Sequence, residues 1–161
     1  METGFCSFSG HRSLPWEEVP QLRELLRRKI KALAEDGLTG FLCGGAMGFD
    51  TLAAEAVLGV RAGNPEISLT LALPCPDQHL RWPERAQRRF EEVLREADEV
   101  IYVSPEYHRY CMLQRNRFLV DHSSLLITYL TRESGGTAYT VRYALKQGVP
   151  VINLAMDIGI D

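Results

Sequence analysis

The sequence predicts a doubly wound α/β fold: a mostly parallel sheet of about six strands with helices on both faces. Three observations predict it. Short apolar runs alternate with longer amphipathic stretches, the pattern of successive βαβ units. Runs such as Ser124-Leu125-Leu126-Ile127-Thr128 lack polar alternation, as strands covered on both faces do. Finally, 161 residues with 45% hydrophobic and 24% charged side chains suit one globular domain, expected over residues 1–161. A chain of this length can bury roughly 70% of the surface its unfolded form exposes.

The elements follow in order. Phe5-Cys6-Ser7-Phe8 is a strand that runs into Ser9-Gly10-His11-Arg12. Leu22, Leu25, Leu26, Ile30 and Leu33 recur at three and four residues, one buried helix face that stops near Asp36-Gly37. Residues 39–43 form a second strand, followed by Gly44-Gly45-Ala46-Met47-Gly48. A helix with Leu52, Ala53, Ala56, Val57 and Val60 on one side comes next. Residues 67–73 are the third strand, stopped by Pro74-Cys75-Pro76. After Pro83 a helix turns Ala86, Phe90, Val93, Leu94 and Ala97 inward. Strands over 100–103, 125–130 and 149–154 are separated by helices at 112–120 and from Ala138 to Leu145. Right-handed crossovers place the helices on both sides of the sheet.

Several classes are excluded. No apolar run approaches the ~20 residues of a membrane span. Met1-Glu2-Thr3-Gly4 has no signal-peptide start. Cys6, Cys43, Cys75 and Cys111 form no CxxC pair, so we expect reduced thiols in a cytoplasmic protein. His11, His79, His108 and His122 show no metal-ligand spacing, and no metal or cofactor is expected. There is no GxxxxGK[ST], GxGxxG, GxSxG or HExxH motif. The net charge of -3 disfavours an extended nucleic-acid partner. It is compatible with one small phosphate-bearing ligand.

In open α/β sheets ligands bind beyond the carboxyl ends of the strands. Three unusual turns fall there: Ser9-Gly10-His11-Arg12, Gly44-Gly45-Ala46-Met47-Gly48-Phe49-Asp50 and Ser134-Gly135-Gly136-Thr137. The last two each open a helix, whose first N–H groups lack acceptors and carry about half a positive charge. Glycine lets an anion approach that backbone. The expected site is therefore a phosphate on the Gly44–Gly48 and Ser134–Thr137 turns, with hydroxyls of Ser134 and Thr137 as added donors and Arg12 as a cationic clamp. The alternative is that the glycines only permit tight turns. His11 suits phosphate, ribose or the ordering of its own loop, and Asp50 suits a ribose hydroxyl or a helix cap. Trp16 and Trp82 suit base stacking or core packing, and Tyr102, Tyr129 and Tyr143 suit the core. The arginines between Arg81 and Arg89 alternate with glutamates, which suits paired charges on a solvated helix face.

Phe8-Ser9-Gly10-His11-Arg12, the Gly44–Asp50 turn, Arg115-Asn116-Arg117 with Val120-Asp121-His122-Ser123, and Gly135-Gly136-Thr137 together resemble the YpsA-like family. That family belongs to the SLOG superfamily of Rossmann-like domains, with the Smf/DprA and LOG proteins. The resemblance covers nearly the whole chain. It implies a nucleotide or nucleotide-derived ligand near Ser9, Arg12, the two glycine turns, Arg115 and Asn116. The LOG relatives imply an alternative, phosphoribohydrolase cleavage of nucleoside monophosphates, with Arg115, Asp50 and Glu133 as catalytic candidates. Residues 138–144 carry no carboxylate where the LOG pattern has a glutamate. N-glycosidic cleavage builds positive charge on the sugar and needs a carboxylate nearby, so binding without catalysis, as in a sensor, is the leading expectation. The DprA relatives imply a third reading, single-stranded nucleic acid. Superfamily relatives also imply a possible homodimer.

Overall fold

A computed structural model describes residues 4–159; Met1–Thr3 lie outside the described residues. Six strands alternate with five α-helices: β1 (Phe5–Gly10), α1 (Val19–Glu35), β2 (Gly40–Cys43), α2 (Phe49–Arg61), β3 (Ser68–Leu73), α3 (Glu84–Glu96), β4 (Glu99–Tyr102), α4 (Cys111–Asp121), β5 (Ser123–Tyr129), α5 (Gly136–Lys146) and β6 (Val151–Asn153). All strand pairs are parallel, in the order β4-β3-β2-β1-β5-β6. The expected Rossmann-like, doubly wound class is what the chain adopts.

The helices divide between the faces as right-handed crossovers require. The neighbours α1, α2 and α3 cover one face, and α4 and α5 pack together on the other. The main core lies under α1 and α2, where Phe8, Phe41, Phe49, Leu22, Leu26 and Ile30 are fully buried. A smaller cluster, Val120, Leu126 and Ala144, sits beneath α4 and α5. Each fully buried Leu, Ile or Phe contributes roughly 1.5–3 kcal/mol of apolar transfer.

Element ends moved where a side chain or an edge decided them. β1 runs two residues past the expected end because Gly10 still pairs with Tyr129 of β5. A Cβ at Gly10 would lie 2.4 Å from the Phe49 ring, so glycine alone lets β1 pass over α2. β6 is shorter than expected: Asn153 Oδ1 accepts from the Ala155 N–H at 3.1 Å and opens a 3₁₀ turn, Leu154–Asp157. Tyr102, expected in the core, is 44% exposed, because β4 is an edge strand. Among the described residues, no helix is long and apolar enough to cross a membrane.

Candidate functional site

The strand order reverses between β1 and β5, since the chain builds outward from β1 through β4 and then returns to the other side. The loops leaving β1 and β5 therefore separate, and a crevice opens between them. A cleft of about 350 Å³ lies there, within the usual range of small-ligand sites. Its walls come from the end of β1 and the loop after it (Ser9–Ser13), the turn before α2 and that helix's first turn (Ala46, Asp50), α4 (Met112, Arg115, Asn116) and the turn into α5 with its first residues (Arg132, Ser134–Thr137).

The floor is a buried pair of opposite charges. Asp50 is 4% exposed and Arg115 5%. Asp50 Oδ2 accepts the Ala46 N–H at 3.3 Å, whereas Oδ1 has no hydrogen-bond partner. Asp50 thus closes the turn ahead of α2 instead of capping the helix, whose N-cap is Gly48. Arg115 donates from Nη1 to the Gly44 carbonyl and from Nε to Asn116 Oδ1 at 2.9 Å. A Cβ on Gly44 would stand 3.0 Å from both Arg115 Nη1 and Asp50 Oδ2, so the two charges face each other across a glycine. Burial pushes the Asp50 carboxyl above its ordinary value, opposed chiefly by Arg115 and the Ala46 amide. Burial pushes Arg115 down, opposed chiefly by Asp50. Arg115 remains cationic, because a guanidinium titrates far above neutral pH.

His11, 5% exposed, stands edge-on to Tyr129 at 5.9 Å between ring centroids. Its Nε2 accepts the Thr131 N–H at 2.9 Å. A neutral ring with Nε2 as acceptor carries its proton on Nδ1. Yet Nδ1 faces Arg132 Nη2 at 3.1 Å. Two donors then meet, so His11 does not hold Arg132 by a hydrogen bond. Burial and, after it, Arg132 keep the His11 pKa below its ordinary value. Arg132 is exposed, and among the described residues no carboxylate pairs with it.

Gly135, with φ 98°, is the N-cap of α5 and supplies no side-chain cap. The first N–H groups of that helix have no intrahelical acceptor. Gly135, Gly136 and Thr137 line the cleft beside Ser134.

The cleft unites Ser9, Gly10, His11, Arg12, Ala46, Asp50, Arg115, Asn116 and residues 134–137. The rest of the Gly44 turn goes elsewhere. Gly44 and Gly45 are buried beneath the cleft, and the Gly45 carbonyl accepts from Gln78 Nε2 at 2.9 Å. Met47 and Gly48 line a neighbouring cavity. The turn's amides also have internal partners: Ala46 N–H meets Asp50, and Phe49 N–H meets the His11 carbonyl at 3.1 Å. Glu133 is exposed and outside the lining; its carbonyl accepts from Arg142 Nη1 at 3.1 Å. Asp121 and His122 of the resemblance motif lie outside the cleft: Asp121 Oδ1 accepts from the Tyr143 hydroxyl and His122 stacks on Phe118. Trp82 is buried against His79 and Phe90, but Trp16 is 80% exposed. Sequence reasoning missed Arg132, Ser13 and Met112. The one available signal was a basic residue between the end of a strand and a glycine turn.

The sequence and fold have known relatives. The model of the YspA SLOG family (YpsA) matches residues 10–152. A UPF0398 protein of Bacillus thuringiensis (strain Al Hakam) is 31% identical over 137 residues, covering 81% of this chain and 72% of that protein. DNA processing protein A from Helicobacter pylori, described with a single-stranded DNA binding mode, shares the fold with a TM-score of 0.64 at 20% identity. The match covers 92% of this chain and 64% of that one. DNA processing protein A (DprA) from Streptococcus pneumoniae gives a TM-score of 0.64 at 15% identity, over 92% of this chain and 49% of that one. The chain thus spans under two thirds of either structure. With the family model covering most of the chain and the Bacillus relative extending across the same core, the chain belongs to the YspA SLOG family.

Proposed function

We propose that the cleft between β1 and β5 binds a nucleotide or nucleotide derivative through its phosphate. The carrying observation is the pairing of opposite recognition chemistries across one cleft. On one side stand the uncapped N-terminus of α5, Arg12 and Arg132, all suited to an anion. On the floor stands Asp50 Oδ1, buried and without a donor. A ribose hydroxyl supplies that donor while the attached phosphate meets the helix end. The phosphate sits on the Ser134–Thr137 turn, because the Ala46 and Phe49 amides of the Gly44 turn already have acceptors and Met47 and Gly48 face the neighbouring cavity. A thermal-shift panel of AMP, ADP, ADP-ribose, NAD and cyclic nucleotides tests this. At least one should raise the midpoint in a saturable way; no shift with any of them, in folded protein, contradicts it.

N-glycosidic cleavage is a second reading, and one observation favours it. Asp50 is a carboxylate inside the cleft, where the helix following the glycine turn has none. Incubation with nucleoside monophosphates and NAD, followed by chromatography for released base, separates an enzyme from a sensor. Single-stranded nucleic acid has weaker support, since Arg88 and Arg95 are paired with Glu84 and Glu92 at 3.0 and 2.5 Å.

A further inference from the structure

Trp16 is a large aromatic left 80% exposed, and its turn is firmly held. The 3₁₀ turn Trp16–Glu18 follows Pro15, whose carbonyl accepts the Glu18 N–H at 3.0 Å. The Glu18 carboxylate accepts the Tyr129 hydroxyl at 2.6 Å. Tyr129 in turn contacts His11 in the wall of the cleft. The turn that carries Trp16 is therefore fixed relative to the cleft, while its indole is exposed and not packed into the core.

Trp16 lines a second cavity of about 350 Å³, together with Met47, Gly48 and Leu52. Arg12 and Ser13 line both cavities, so the two adjoin across these residues. Their charges differ. Arg23 and Arg89 reach the second cavity, but both pair with Glu55, at 3.7 and 2.6 Å. Among the described residues the Arg12 side chain has no ion-pair partner. The second cavity thus offers an aromatic face, apolar side chains and largely compensated charge. It suits an uncharged planar ring.

We propose that the two cavities form one continuous site for a dinucleotide: two base-bearing nucleosides joined by a pyrophosphate. Resting on the nucleotide reading above, this assigns one nucleotide to the cleft with its phosphate at the start of α5, the second phosphate of the pyrophosphate to Arg12 and the second base to Trp16. Base-on-aromatic stacking is sequence-tolerant and strong enough to raise affinity about tenfold.

Calorimetric titrations of the whole chain with AMP, NAD and diadenosine pyrophosphate test the assignment, using wild type and Trp16→Ala. Both dinucleotides should bind wild type about tenfold more tightly than AMP. Trp16→Ala should remove that advantage and leave AMP binding unchanged. Trp16 is exposed, so the variant should fold, and circular dichroism checks that it does. Indole fluorescence should respond to the dinucleotides but not to AMP, since the chain's other tryptophan, Trp82, is buried. If AMP binds and the dinucleotides gain nothing, or Trp16→Ala weakens all three equally, the extended site is wrong while the cleft reading stands. If none of the three binds, both fail. A thymidine oligonucleotide that binds more tightly with each added length, and depends on Trp16, overturns the dinucleotide in favour of a single strand.

Discussion

At the scale of single residues, the site turns on two arginines with different tasks. Arg115 is structural and electrostatic: it holds the Gly44 carbonyl and faces Asp50 inside the fold. Removing one member of a buried charge pair leaves the other uncompensated, at a cost of about 3 kcal/mol. Arg115→Ala should lose about that much in urea unfolding at pH 8. The sign with pH follows from Asp50, whose folded pKa lies above its unfolded value of 3.8. The charged carboxylate therefore opposes folding above the folded pKa, more so without Arg115. The penalty lifts as pH falls through that pKa, so the gap to wild type should narrow at acid pH. A gap of constant size would contradict the electrostatic account. Arg132 instead faces the His11 ring and, among the described residues, pairs with no carboxylate. Arg132→Gln should leave stability nearly unchanged and weaken a phosphate ligand about tenfold, or ~1.4 kcal/mol. It should also raise the His11 pKa toward 6.5, read from imidazole proton shifts, because Arg132 is one cause of its lowering. Asp50 and Arg115 were both legible as candidates in the sequence. Their confrontation across Gly44 was not, because it depends on how β2 and α4 are superposed. Arg132 was passed over because the turn was read from Ser134, the first residue of the glycine motif.

At the scale of elements, the glycines at two helix starts stand in different surroundings, one packed under the β1 loop and one open to the cleft. Gly48 and Gly135 both have positive φ, 77° and 98°. A Cβ at Gly48 would come within 2.3 Å of the Arg12 carbonyl oxygen, while at Gly135 it would meet nothing within 4 Å. Gly135→Ala should therefore cost about 2 kcal/mol, from a positive-φ extended backbone that glycine alone enters readily. Gly48→Ala should cost several-fold more, because backbone strain adds to a clash with a neighbouring main chain. Equal losses, measured by chemical denaturation, would contradict this division. The contrast explains why the two glycine turns, so similar in sequence, differ in use. The first is consumed in docking the β1 loop onto α2, and the second leaves its helix end facing a cleft. Composition and spacing alone do not distinguish them, because the difference lies in which chain passes over each turn.

At the scale of the whole molecule, the parallel sheet of six strands and the placing of helices on both faces follow from the alternation of apolar runs with helical periodicity, whereas the strand order and the switch point between β1 and β5 come from the structure. The first two features depend on local pattern and on the handedness of crossovers, both readable in the chain. What escaped was the second cavity beside the β1 loop and the exposure of Trp16, which only tertiary packing decides. The four cysteines offer a global check on the fold: all are buried and without disulfide partners. Burial pushes the Cys75 thiol up to about 11 and Cys6 higher still, so native protein should react slowly with a thiol reagent at pH 8. All four should become reactive together on unfolding. Prompt reaction of one or two in native protein would indicate a local opening absent from this packing. The central claim, a phosphate held at the start of α5, is tested most directly by amide chemical-shift mapping during titration with AMP. The account predicts saturable shifts, largest at Gly135, Gly136 and Thr137, with smaller ones from Ser9 to Arg12. Saturable binding that leaves the Gly135 and Gly136 amides unmoved would contradict it.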